Sequence, residues 1–235
     1  MTTDFAFRSG AEQGIFPFEL VEYGHSVEGV PLRYLPAKKE ARLLVFAAIH
    51  GEESETTFLL SRALRKLFSA PDYVACILTA NPDGMLRGTR CNANGVDLNR
   101  NFPTSNWKAE KTLVRLVLEA PRETELSTGS SAGSEPETQA LIALIQKLGV
   151  KKVVSLHAPL GLVDSDFHTE LAVQMENVFA LPWQSGVGYP TPGSFGTYAA
   201  EKNLECVTVE LPREAPEILA IRHAEKLADF LQNYR

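Results

Sequence analysis

Leu43-Leu44-Val45-Phe46-Ala47-Ala48-Ile49 runs directly into His50-Gly51-Glu52-Glu53. An unbroken apolar run of this length predicts a strand buried on both faces, as in a parallel sheet covered by helices. A histidine and a carboxylate three residues apart at the end of such a strand can turn toward one point. That is a two-point metal clamp: His50 and Glu53 ligate, Gly51 lets the turn approach the ion, and Glu52 is a bystander. Alone, His-x-x-Glu is more often structural or a surface pair. The rest of the chain decides.

Upstream, Glu28-Gly29 between Tyr23–Val27 and Val30–Leu35 predicts a hairpin. Downstream, a helix is expected from about Glu55 to Ser69, burying Leu60, Ala63, Leu64, Leu67 and Phe68. Tyr73–Thr79 reads as the next buried strand, broken by the turn residues Asn81-Pro82-Asp83-Gly84. From Met85 to about Glu135 little regular patterning follows. Its first half is read as a functional loop and its tail, Ser127–Ser134, as flexible. A helix opens at Glu135-Pro136-Glu137, buries Leu141, Leu144, Ile145 and Leu148, and stops at Gly149. Lys152–Leu156 is a third core strand and delivers His157; Glu205–Val209 is a fourth and delivers Glu210. A last helix from Pro216 buries Ala224, Leu227, Ala228 and Leu231.

This alternation predicts an α/β fold: three layers, α/β/α, around a mixed, mostly parallel sheet, as one domain over residues 1–235. In such sheets ligands bind beyond the carboxyl ends of the strands, where His50, His157 and Glu210 stand. A net charge of −6 with no basic block argues against a nucleic-acid partner. No apolar run is long enough to span a membrane. Residues 1–14 lack the basic-then-apolar pattern of a secretory signal. Cys76, Cys91 and Cys206 form neither a disulfide framework nor a zinc ribbon, and reduced thiols fit a cytoplasmic protein.

Hydrolytic zinc takes three protein ligands and keeps one position open. His50, Glu53 and His157 supply that set for one zinc per chain. The metal polarises a carbonyl and acidifies its water, and a separate carboxylate must then move the proton. Glu210 is placed for that, because a buried strand end raises a carboxylate's basicity. Arg87, Arg90 and Arg100 are available to a developing oxyanion. Arg100 beside Asn99 pairs a guanidinium fork with an amide donor, which suits a carboxylate. Asp97 can hold the back nitrogen of a ligand histidine.

Asn81-Pro82-Asp83-Gly84 and Gly95-Val96-Asp97-Leu98-Asn99-Arg100-Asn101-Phe102, following the His-x-x-Glu, resemble the zinc carboxypeptidase (M14) family. Gly24–Leu32 resembles its first hairpin, Ser155-Leu156-His157 its third ligand, and Thr208–Pro212 the strand of its general base. The resemblance implies zinc on His50, Glu53 and His157, Glu210 as base, Asn99 and Arg100 as clamps on a terminal carboxylate, and Asp97 behind His50. It implies a carbonyl-polarising arginine, Arg90 by its offset from Gly95-Val96-Asp97, with Arg87 second. A mobile tyrosine that caps the substrate maps to Tyr189, and the specificity position to Phe195 or Gly196, neither of them an acid. Within the family, the runs Asn92–Pro103 and Gly133–Thr138, and Gly188-Tyr189 with Pro192–Gly196, are most similar to bacterial members that cut γ-D-glutamyl–meso-diaminopimelate bonds in cell-wall recycling. The implied partner is therefore a small peptide. Alternatives are a carboxypeptidase on ordinary C-termini, a deacylase of the succinylglutamate desuccinylase/aspartoacylase type, and a metal-free peptide-binding module. The last is expected to have lost a ligand or Glu210, and here all four are present. Taken singly, His157 can be a hydrogen-bonded core residue, Glu210 a strand-end ion-pair partner, Arg87 a solvated loop charge and Tyr189 a turn-packing side chain. His25, His168 and His223 are expected in surface or capping roles.

Overall fold

A computed structural model describes residues 16–115 and 123–235. Residues 1–14, read above for a secretory signal, lie outside them. In chain order the elements begin with β1 (Val21–His25), β2 (Pro31–Tyr34), β3 (Leu43–Ala47), α1 (Ser54–Leu64), β4 (Val74–Ile77) and α2 (Pro82–Arg87). They continue with β5 (Thr112–Arg115), β6 (Glu123–Leu126), α3 (Pro136–Leu148), β7 (Lys152–His157), β8 (Leu160–Asp164) and α4 (Glu170–Phe179). The last are β9 (Trp183–Gln184), α5 (Phe195–Glu201), β10 (Glu205–Pro212) and α6 (Pro216–Asn233).

The six-stranded sheet runs β4-β3-β7-β10-β8-β9. β4, β3, β7 and β10 are parallel, and β8 joins β10 antiparallel. The central strands are apolar on both faces over most of their length because each face has its own helices. Leu43, Val45, Ala47, Val154, Leu156, Val207 and Val209 pack against α1, α4 and α6. Leu44, Phe46 and Val153 pack against α3 and α5. The three-layer α/β/α fold with its mixed sheet is thus the observed one. Removing a core side chain here, Leu60→Ala for example, costs about 2–5 kcal/mol in lost transfer energy and cavity.

Several local expectations change. α1 ends at Leu64, so Phe68 is fully exposed rather than part of the stripe. Asn81-Pro82-Asp83-Gly84 does not merely break a strand. Asn81 accepts from the Gly84 N–H and Pro82 takes the first turn, so the four residues open α2. The segment after Met85 holds a 3-10 turn at Leu98–Arg100 and the β5–β6 ribbon. Its tail is tied down instead of flexible. The Asn101 side-chain amide donates to the Thr128 and Ser131 carbonyls at 2.8 and 3.1 Å, and the Asp97 N–H donates to Ser127 O at 2.9 Å. β8, β9 and α5 had no counterpart in the sequence reading. His223 is buried against Phe179 instead of lying on the surface.

Candidate active site

β3 and β7 lie side by side in register, so their carboxyl ends release His50 and His157 next to each other. At the exit of β3, Ala48 turns to φ 49°, which reverses the chain into the His50–Glu53 turn. Thr56 holds that reversal. Its hydroxyl accepts from the Ala48 N–H at 3.1 Å and donates to Glu53 O at 2.7 Å. Gly51 has a different reason from the one expected. A Cβ there would lie 2.1 Å from the Gly84 carbonyl carbon and 2.2 Å from the Met85 nitrogen. The glycine lets the turn dock on α2, not on the ion.

Ligand atoms of His50, Glu53 and His157 lie within 4.8 Å of one another, and all three residues are buried. His50 Nδ1 is 2.7 Å from Glu53 Oε1 and His157 Nδ1 is 3.1 Å from Glu53 Oε2. Glu53 Oε2 is nonetheless without an aligned hydrogen bond. Both imidazoles present the same ring nitrogen to one carboxylate, and a buried acceptor is left over. Two imidazoles, one carboxylate and an orphaned oxygen fit a zinc ion. Burial pushes the Glu53 carboxyl up, but His50 and His157 overcome that and hold it well below its usual range.

Asp97 is buried on the other side of His50, with Oδ1 3.3 Å from His50 Nε2. Its second oxygen accepts from Arg90 Nε at 2.8 Å. Arg90 Nη1 also reaches Glu53 at 3.8 Å and Glu52 at 3.7 Å. Glu52 is therefore not a pure bystander. Burial works against the Arg90 charge, and Asp97 and Glu53 more than restore it. Arg87 differs. Its guanidinium pairs with Glu28 in the hairpin turn and donates to Asp83 O at 3.1 Å, so it braces α2 against the β1–β2 turn. Of the two arginine candidates, only Arg90 joins the cluster.

Glu210 sits opposite His157 in the β10–β7 register. Burial raises its carboxyl above the usual range, partly offset by His157. Arg100 is buried and anchored by Nη1 donating to Asn99 O at 2.7 Å. The Asn99 side-chain oxygen accepts from the Phe195 N–H at 2.8 Å, which leaves its amide nitrogen free to donate. Gly193 lies flat on this clamp: a Cβ there would be 2.4 Å from Arg100 O. Tyr189 is 56% exposed and close enough to Glu210 and Arg100 for both charges to act on its hydroxyl, whose pKa burial raises. The structure thus gathers His50, Glu53, His157, Asp97, Arg90, Glu210, Asn99, Arg100 and Tyr189 at one end of the sheet.

A buried polar brace supports the loop that carries Asp97. The buried Asn92 amide donates to Glu135 Oε2 at 2.8 Å and Glu137 Oε2 at 3.0 Å. Asn92 in turn accepts from the Val96 N–H, one residue before Asp97. Polar residues at an N-terminal helix turn beside a polar loop are the only sequence signal for such a brace, and it is weak.

A model of the family described as zinc carboxypeptidase, Peptidase_M14, matches residues 17–163. Murein peptide amidase A of Escherichia coli strain K12 is 42% identical over 228 residues, covering 96% of this chain and 94% of that protein. Murein peptide amidase A of Vibrio campbellii is 42% identical over 225 residues, covering 94% and 91%. The crystal structure of murein-tripeptide amidase from Escherichia coli O157 matches with a TM-score of 0.90 at 40% identity, over 97% of this chain and 98% of that one. Carboxypeptidase A from Helicoverpa armigera, 21% identical, shares the fold with a TM-score of 0.68 over 93% and 68%. The chain belongs to the zinc carboxypeptidase family and is a zinc-dependent hydrolase of amide bonds.

Proposed function

We propose that this chain hydrolyses the bond between γ-D-glutamate and meso-diaminopimelate in murein tripeptide, in the cytoplasm. The observation that carries this reading is the 42% identity to murein peptide amidase A along 96% of the chain. The site's geometry supports it. His50, Glu53 and His157 hold the zinc, which when bound supplies Lewis-acid polarisation of the scissile carbonyl. The Asp97 carboxylate, 3.3 Å from His50 Nε2, stands behind the ring and favours Nδ1 as the atom that would face the metal. Glu210 takes a proton from the attacking water and returns it to the leaving amine, a role its raised pKa suits. Arg90, kept charged by Asp97, stabilises the developing oxyanion. Asn99 and Arg100 hold a carboxylate of the substrate's last residue, and Tyr189 closes over it. A clamp that reads a terminal carboxylate places the cut one residue from the end. No helix among the described residues is long and apolar enough to cross a membrane.

The test is incubation of the zinc-loaded protein with L-Ala-γ-D-Glu-meso-diaminopimelate and mass spectrometry of the products. Free diaminopimelate is the expected product. Its absence, with release of C-terminal residues from ordinary peptides, would favour the carboxypeptidase alternative.

A further inference from the structure

The sheet face that carries His157 and Glu210 continues one row deeper. Strand pairing places Phe46 beside Ser155, Ser155 beside Thr208 and Thr208 beside Asp164. Pleating puts residues two apart on one strand on the same face. Ser155, Thr208 and Asp164 therefore lie under His157, Glu210 and Leu162. Neighbours on the opposite face, Val154, Val163, Val207 and Val209, are all in the core formed with α1, α4 and α6.

Three polar residues in a row are out of place in a sheet interior, and two observations set this row apart as a polar floor beneath His157 and Glu210. Leu162, Asp164, Cys206 and Thr208 are all partly accessible, whereas Val163, Val207 and Val209 are buried. Ser155 is 1% exposed, and its hydroxyl has no hydrogen-bond partner. The Asp164 carboxylate takes one hydrogen bond, from the Gly186 N–H at 2.7 Å, at the start of the loop that bears Tyr189. No lysine or arginine among the described residues pairs with it. Burial raises the Asp164 carboxyl above its ordinary range, a cost that a bound cation would relieve.

We infer that Asp164, with the Ser155 and Thr208 hydroxyls beside it, selects a substrate whose last residue carries an ammonium group at the far end of its side chain. This rests on the proposed clamp of Asn99 and Arg100 on that residue's carboxylate. Two residues along a strand span roughly 6.6 Å, the drop from the Glu210 row to the Asp164 row. Four C–C bonds of about 1.5 Å each span roughly 5 Å when zigzagged, so a chain of that length brings an ammonium within hydrogen-bond reach of the floor. The position that the family resemblance marks for specificity, Phe195 or Gly196, offers no charge. The acid stands on β8 instead.

The experiment compares two tripeptides on the zinc enzyme: L-Ala-γ-D-Glu-meso-diaminopimelate, and its counterpart ending in L-2-aminopimelate, which keeps the distal carboxylate and lacks the ammonium. The wild-type protein is expected to prefer the first by at least tenfold in kcat/KM. Asp164→Asn is expected to shrink that preference to under threefold, mainly through KM. Equal use of the two peptides by the wild type overturns the inference without any variant, as does an undiminished preference in a folded Asp164→Asn. If neither murein peptide is cleaved, the murein reading fails separately. The same comparison is then made on peptides ending in lysine or norleucine. A lysine preference lost in Asp164→Asn supports the inference there, and no lysine preference overturns it.

Discussion

Gly51→Ala tests whether the metal turn is held by its docking on α2. The added Cβ would sit 2.1 Å from the Gly84 carbonyl carbon and 2.2 Å from the Met85 nitrogen, where ordinary contact begins at 3.4 Å. The two segments must part by about 1.3 Å, and the obstructing atoms are backbone, so no side chain can swing away. The rim is also tied in place. Gly51 N donates to Arg90 O at 3.3 Å, and the Asn81 side-chain amide donates to Ile49 O and Arg90 O, each at 3.2 Å. Metal ligands tolerate displacements of about 0.2 Å, so a shift several times larger at the residue between His50 and Glu53 spoils the site. We expect zinc affinity to fall at least about tenfold, comparable to losing a support of a ligand. Overpacking of this kind costs up to about 3 kcal/mol, which lowers the Tm of a chain this size by about 6–12 °C. Competition with a chromophoric chelator reads the first effect, and calorimetry of the metal-free protein reads the second. Gly88→Ala is the control. Its φ is +64° but nothing lies within 4 Å of the added carbon, so only about 1 kcal/mol is lost and zinc binding is unchanged. Wild-type zinc affinity and Tm in Gly51→Ala would refute the docking argument.

Glu210→Gln should keep about one zinc per chain by elemental analysis while kcat falls about 10²–10⁴-fold; near-normal turnover would remove it as base. Arg90→Ala is expected to lower kcat about 10²–10³-fold, whereas Arg87→Ala should change kcat/KM less than about threefold, because its partners are Glu28 and Asp83. Equal effects of the two would contradict the separation seen here. Burial lowers the pKa of His223, so below the unfolded pKa of about 6.5 the unfolded chain binds the proton more readily than the folded one. Stability should therefore fall as pH drops through that value, and His223→Gln should flatten this part of a urea-denaturation pH profile. An unchanged slope would show that His223 is protonated equally in both states.

Much was legible in the sequence. The buried run Leu43–Ile49 reads as a central strand because continuous apolarity has one soluble explanation, two covered faces. The turn His50–Glu53, the strand-end residues His157 and Glu210, and the clamp Asn99-Arg100 could be named from residue type and spacing, since zinc and carboxylates demand few donor sets. Tertiary structure decided what depends on contacts between distant segments. Spacing only ranks Arg90 ahead of Arg87; the two part because Glu28, 59 residues away, captures the Arg87 guanidinium and Asp97 holds that of Arg90. Local composition makes Ser127–Ser134 look loose, and its anchor, Asn101, lies in another loop. Gly51 is needed because the backbone of α2 crosses it. Asp164 joins the site only because β8 turns back antiparallel to β10 and sets it beside Thr208. The sequence by itself determined which chemistry the chain carries, because that is written in side-chain types. Which of those side chains face the substrate was left to packing, because orientation is set by neighbours that the linear order does not reveal.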